Sequence, residues 1–325
     1  MAPRELVVLG TAAQAPTRYR NHNGYLLRWD DEVLLFDPGE GTQRQLILAD
    51  ATRPSITRIC ISHFHGDHCL GLPGVLLRLS LDQVEHPVDV YFPASGEAYF
   101  ERLRHATIAD ETLDVRPHPL TGPVEADPGP PFRLLALPLE HGPETLGWRL
   151  EEPDGHRMLP DRLEELGVRG PDVGALLREE RLSIDGRLVT LDEVSEPRRG
   201  QSVAFVMDTR MCDAAVELAR DVDLLVCEST FLDDERMLAE RYQHLTARQA
   251  AWLAREAGAH RLVLTHFSQR HRDEDEYLAE AAAVFPDVVV ARDLLRVPIL
   301  REHHLEARHE PPDPLSGAAG PGADG

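Results

Sequence analysis

The chain has 325 residues, with 34 basic and 56 acidic side chains for a formal charge of −22, and its 42% hydrophobic content suffices for a sizeable core. All 34 cations are arginine, which excludes Schiff-base catalysis and a phosphate-loop lysine. The acidic balance argues against indiscriminate nucleic-acid binding, and no apolar run reaches the roughly 18–20 residues of a membrane span.

Met1 to Val8 runs almost directly into an apolar strand pattern without the apolar core of a signal peptide, so a cytoplasmic protein is expected. Strand-like runs follow at Leu6–Leu9, Gly24–Leu27, Val33–Phe36, Ile59–Ser62, Val88–Phe92 and Phe132–Leu139. Later runs fall at Ser202–Met207, Asp223–Cys227, Arg261–Thr265 and Val288–Val290. Helical periodicity marks Gly71–Leu81, Thr246–Ala257 and Glu274–Val284. Strands that first cluster and then alternate with helices predict a layered α/β protein with a mixed sheet. Residues 151–200 are punctuated by Pro and Gly and read as an inserted arm; 302–325 reads as a tail too poor in apolar groups to order. Cys60, Cys69, Cys212 and Cys227 form no CxxC pair and read as small buried hydrophobes.

The strongest chemical signal is His63-Phe64-His65-Gly66-Asp67-His68, directly after an apolar strand. In an extended chain residues i and i+2 point the same way, so His63 and His65 can grip one ion. Gly66 permits a turn after which Asp67 and His68 face a second ion. Other apolar strands also run into possible ligands: Phe132–Leu139 into His141, Val203–Met207 into Asp208, and Leu262–Thr265 into His266. Strand ends are where α/β folds assemble their sites. One division gives His63, His65 and His141 to a first ion, and Asp67, His68 and His266 to a second, with Asp208 as a bridge. Imidazole and carboxylate without thiolate suits two zinc ions, with manganese or iron as alternatives. Such a pair suits phosphodiester hydrolysis.

HxHxDH with the later His, Asp and His resembles the metallo-β-lactamase superfamily. Within it the chain resembles the ribonuclease Z family, endonucleases that trim the 3′ trailer from precursor tRNA. Further blocks carry that resemblance in the same order: Leu9-Gly10-Thr11, Pro16-Thr17, Arg20-Asn21-His22, Phe36 to Gln43, Asp208-Thr209-Arg210, Glu228 to Phe231 and Leu264 to Ser268. The resemblance implies a four-layer αβ/βα hydrolase domain over 1–301, with 151–200 inserted as a tRNA-binding exosite arm. It also implies a homodimer, a product with a 3′-hydroxyl on the tRNA, and a 5′-phosphate on the trailer. Asp67 would orient or deprotonate the attacking water, and His244 with Glu228 would protonate the leaving 3′-oxygen.

The chain departs from the family at Met207, where Gly is usual, at Cys227 for His, at Leu245 for Ser and at His271 for Tyr. Residues 149–190 hold seven Arg against ten acids, a net of −3, where a tRNA exosite should be electropositive. That charge leaves two readings: the arginines gather on one face of the arm while the acids face solvent, or the substrate is instead a small phosphodiester or ester. A non-hydrolytic iron or metal-binding protein of the same fold is the remaining class.

Overall fold

The computed structural model describes residues 4–51, 55–108, 112–129 and 131–300. The expected tail at 302–325 lies outside them.

Eighteen strands are formed among the described residues. The first nine are β1 Glu5–Gly10, β2 Gly24–Trp29, β3 Glu32–Phe36, β4 Ile56–Cys60, β5 Val88–Pro93, β6 Val115–Leu120, β7 Val124–Asp127, β8 Arg133–Leu139 and β9 Thr145–Glu151. The rest are β10 Gly155–Met158, β11 Arg181–Ile184, β12 Arg187–Thr190, β13 Ser195–Arg198, β14 Ser202–Val206, β15 Leu224–Glu228, β16 Leu262–Thr265, β17 Val288–Val290 and β18 Arg296–Pro298. Two seven-stranded sheets result, in orders β18-β1-β2-β3-β4-β5-β6 and β17-β16-β15-β14-β9-β8-β7. Each is antiparallel on one side and parallel on the other.

The period-2 pleat explains why β1 reads as an unbroken apolar run. Leu6 and Val8 enter the core between the sheets, whereas Val7 and Leu9 face the other way, into the cluster with Leu46, Leu72, Val75 and Leu79 of helices Thr42–Leu48 and Leu72–Leu81. Across the inter-sheet core Phe36 and Phe205 stack at 3.8 Å. Helix Ala247–Ala257 covers the outer face of the second sheet through Ala250, Leu253 and Ala254. Its start is the capping box Thr246/Gln249. The layers are helix, sheet, sheet, helix, the αβ/βα sandwich that the family resemblance implies; the apolar patterns alone predict one mixed sheet, and two form.

Strands β6 and β7 escaped the sequence reading for a physical reason. Both lie at sheet edges, and β6 carries Pro117 and Pro119, which an edge tolerates because a ladder bond is needed on one side only. All four cysteines are free, three of them buried and Cys212 half-buried.

Residues 155–198 stand apart from both sheets. Strands β10 and β13 pair at the root, β11 and β12 form a hairpin, and helices Pro160–Glu165, Pro171–Glu179 and Leu191–Val194 complete the segment. Short apolar stretches gather into a separate small core of Leu166, Val168, Leu176, Val189, Leu191 and Val194. At the root Glu152 accepts from Arg4 at 2.8 and 2.9 Å, from Arg198 at 3.0 Å and from the Gln201 amide at 3.1 Å. A Cβ on Gly200 would lie 1.9 Å from the Glu152 carbonyl oxygen, so only glycine lets the returning chain pass there.

Candidate metal centre

The predicted ligands converge at one edge of the two sheets. His63, His65, Asp67 and His68 lie between β4 and the helix Leu72–Leu81. His141 follows β8, Asp208 follows β14 and His266 follows β16. Asp208 and His266 take left-handed backbone conformations, φ 31° and 60°, as does Asp37 after β3 at 46°. Such conformations in non-glycine residues cost about 1–3 kcal/mol each and concentrate at functional sites.

The Asp208 carboxylate faces both ligand groups. Its Oδ2 is 3.6 Å from Nε2 of His63 and of His141, while its Oδ1 is 3.3 Å from His68 Nε2 and 3.2 Å from His266 Nε2. His65 Nδ1 joins the first group, 2.9 Å from His63 Nε2 and 3.4 Å from His141 Nε2. Asp67 Oδ2 joins the second, 3.5 Å from Nε2 of both His68 and His266. The potential ligand atoms thus gather into the sets His63, His65, His141, Asp208 and Asp67, His68, His266.

These donors fit divalent cations. A tetrahedron with bonds of about 2.0–2.1 Å has edges of about 3.3 Å, and the donor separations bracket that value. Asp208 Oδ1 and His266 Nε2 are buried without a hydrogen-bond partner among the described residues, as donor atoms awaiting an ion would be.

Four of the imidazoles are aimed by acceptors behind them. Ser62 Oγ donates to Asp37 Oδ2 at 2.8 Å and accepts from His63 Nδ1 at 3.0 Å. His68 Nδ1 donates to Asp37 at 2.8 Å, and His141 Nδ1 to the Gln243 carbonyl at 3.2 Å. Thr230 Oγ1 donates to Glu228 Oε2 at 2.7 Å and accepts from His266 Nδ1 at 2.7 Å. Each chain fixes the tautomer that leaves Nε2 for a metal. Close backbone packing supports the loops: a Cβ on Gly39 would lie 2.2 Å from the Asp67 carbonyl oxygen and 2.6 Å from that of Asn23.

Burial pushes His63 and His65 below the usual imidazole range, and His141 likewise, so these rings are held neutral and ready to ligate. The second group is acidic. Burial opposes charge there, but Asp208, Asp67 and Asp37 together raise His68 far above the usual range. Asp67 is held well below the carboxylate range by His68 and His266 despite its burial, and Asp208 by His266, His68 and His244.

His244 Nδ1 lies 2.9 Å from Glu228 Oε1. Glu228 is wholly buried and also accepts from the Thr209 amide at 2.8 Å. Burial disfavours the imidazolium, but Glu228 and then Asp208 outweigh it and push His244 up to about 9. His244, His266 and Asp208 share a further potential ligand group, so the His244 ring stands beside the metal ligands.

The chain resembles known proteins along most of its length. Family models match the metallo-beta-lactamase superfamily over residues 17–159 and a beta-lactamase superfamily domain over 193–267. Ribonuclease Z of Nocardia farcinica is 58% identical over 301 residues, spanning 92% of this chain and 99% of its own. The chain belongs to the ribonuclease Z family. Ribonuclease Z of Streptomyces coelicolor is 55% identical over 92% of this chain and 99% of its own. The crystal structure of short-form human tRNase Z is similar at TM-score 0.66 and 25% identity, covering 91% of this chain and 100% of that one. A ribonuclease Z of this superfamily is a divalent-metal hydrolase, and the two ligand groups are compatible with that chemistry.

Sequence reasoning missed the residues behind the ligands. Asp37 and Thr230 lie inside quoted blocks, but only the fold shows that they hold His68 and His266. Of the departures, Met207, Cys227 and Leu245 are buried apolar side chains, and His271 Nε2 pairs with Glu235 at 2.7 Å.

Proposed function

We propose that this chain is a zinc-dependent endoribonuclease that removes the 3′ trailer from precursor tRNA in the cytoplasm. The observation that carries the reading is Asp208, with one oxygen toward each of two ligand groups, in a chain 58% identical to a ribonuclease Z. The imidazole and carboxylate donor set favours zinc over manganese or iron, and two sets favour two ions per subunit.

His63, His65 and His141 would hold one ion and Asp67, His68 and His266 the other, with one oxygen of Asp208 facing each set. When bound, the ions sharpen a nucleophilic water and stabilise the charge that develops on the phosphoryl oxygens. Asp67 orients that water and accepts its proton as the new oxygen–phosphorus bond forms. The phosphorus–O3′ bond breaks, and His244 protonates the departing 3′-oxygen. The tRNA keeps a 3′-hydroxyl, and the trailer a 5′-phosphate. Glu228 keeps His244 charged until that step.

Two features answer the net-acidic charge. Beside the metal cavity lies a cleft of about 810 Å³ lined by Arg18, Arg20, Arg272 and Arg292 against Glu274 and Asp293; Arg20 and Arg292 pair with Glu274, which leaves Arg18 and Arg272, with exposed Tyr19, to meet a phosphate. Within the arm Arg157, Arg162 and Arg187 are neutralised by Glu196, Glu165 and Glu193. Arg169, Arg178 and Arg181, around helix Pro171–Glu179, make no ion pair among the described residues and are offered to phosphate, beside Asp172, Glu179 and Glu180, which make none either. The arm is thus read as the tRNA exosite, serving the partner subunit of a homodimer. Exposed Ile47, Leu48, Leu77 and Leu81 on two mutually packed helices support such an interface.

The test is cleavage of a precursor tRNA with a 3′ trailer by zinc-loaded protein, beside Asp67→Ala. A cut after the discriminator base that the variant loses supports the reading. Intact tRNA together with variant-sensitive hydrolysis of a small phosphodiester would instead favour the small-substrate alternative that the arm's net −3 suggests.

A further inference from the structure

The metal cavity, about 560 Å³, has an aromatic wall on one side. His244 is its innermost ring, 5.4 Å from the His266 ring. Phe231, 6% exposed, lies 6.0 Å from His244, and Tyr242 lies 6.5 Å beyond Phe231 in a nearly parallel plane, 13° apart. Tyr242 lines the same cavity yet is 49% exposed. A half-exposed aromatic ring at a cavity mouth leaves apolar surface in water that an occupant would cover.

The ring is rigidly placed. Tyr242 ends the helix Arg236–Tyr242, and Gln243 takes a left-handed conformation at φ 58°, which turns the chain between Tyr242 and His244. The Gln243 carbonyl accepts from His141, a ligand of the first metal group. The His244 amide donates to the Ala239 carbonyl at 2.9 Å. The platform is therefore tied to the metal ligands themselves. Arg241 lies over the Tyr242 ring at 5.6 Å and sets a positive charge beside it.

We propose that Tyr242 is a stacking platform for the base of a nucleotide flanking the scissile phosphodiester, with Arg241 beside that nucleotide's phosphate. The inference rests on the RNA reading above. Every base has a π-face, so stacking holds the strand without selecting a sequence, as trailer removal from many tRNAs requires. Tyr242 touches neither the reacting phosphate nor the metal ligands, so it acts on binding and alignment.

The experiment is a double-mutant cycle with zinc-loaded protein. Wild type, Tyr242→Ala and Tyr242→Phe are each given precursor tRNA that is intact, abasic at the nucleotide 5′ of the cut, or abasic at the nucleotide 3′ of it. Stacking predicts that Tyr242→Ala loses about tenfold in kcat/KM and that Tyr242→Phe restores it. Metal content and Tm should stay unchanged. Removing the stacked base should cost wild type a similar factor and cost Tyr242→Ala nothing more, while the other abasic substrate behaves additively and so identifies the side. Unchanged kcat/KM in Tyr242→Ala, or additivity at both positions, overturns the proposal. A wild type that leaves intact precursor tRNA uncut removes the RNA reading, and this inference with it.

Discussion

The metal cavity and the arm are built on opposite principles. Around the cavity the ligands sit at strand ends, save Asp67 and His68 on the one-turn helix Gly66–Cys69; Asp37, Asp208 and Glu228 are buried, and a hydrogen-bonded acceptor stands behind four imidazoles. The arm has a six-residue core of its own, and its ion pairs lie at the surface, where each contributes little. Rigidity suits a centre that must hold donor atoms a few tenths of an ångström from ideal, whereas a surface that meets a large polyanion needs unpaired charge in the right place.

Removing the bridge should have the largest effect. Asp208→Ala is expected to lose both metals and all turnover in elemental analysis and cleavage assays; two tightly retained ions would mean that the carboxylate bridges nothing. Replacing 155–198 by a short glycine linker should abolish cleavage of precursor tRNA yet spare a small chromogenic phosphodiester. Equal loss of both would make the arm a support for the fold. His244→Ala should keep both metals and lower kcat by about 10²–10⁴, and an unchanged rate would reduce it to a neighbour of the Thr246 cap.

A smaller effect is expected behind the ligands. Asp37→Asn removes the acceptor that aims His68, and metal affinity measured by competition with a chelator should weaken about 10–100-fold. The mildest change concerns pH. Glu228 holds His244 up at about 9, so Glu228→Gln should move the alkaline limb of the kcat/KM profile to lower pH. In metal-free protein the same pair adds stability that is fully present below about 6.5 and lost as pH rises through about 9. Glu228→Gln should flatten the Tm between those limits, and an unaltered slope would show that another group sets it.

Sequence alone determined what is local or repeated along the chain. His63, His65, Asp67 and His68 share a short segment; the i, i+2 alternation aims the first two, and where a turn at Gly66 is expected, the one-turn helix Gly66–Cys69 aims the others. His141, Asp208 and His266 were legible because each apolar run ends just before a polar ligand. Helix Ala247–Ala257 announced itself by period and cap, and β1 and β16 by unbroken apolarity. Tertiary structure decided whatever depends on chains far apart meeting. Asp37 reaches His68 and Thr230 reaches His266 across 31 and 36 residues, separations that leave no periodic trace. The prolines of β6 and the charges of β7 hid strands that only their neighbours stabilise. The two oxygens of Asp208 found opposite ligand groups, and Tyr242 found the cavity mouth, because burial and hydrogen bonding act through space, whereas composition and periodicity run along the chain.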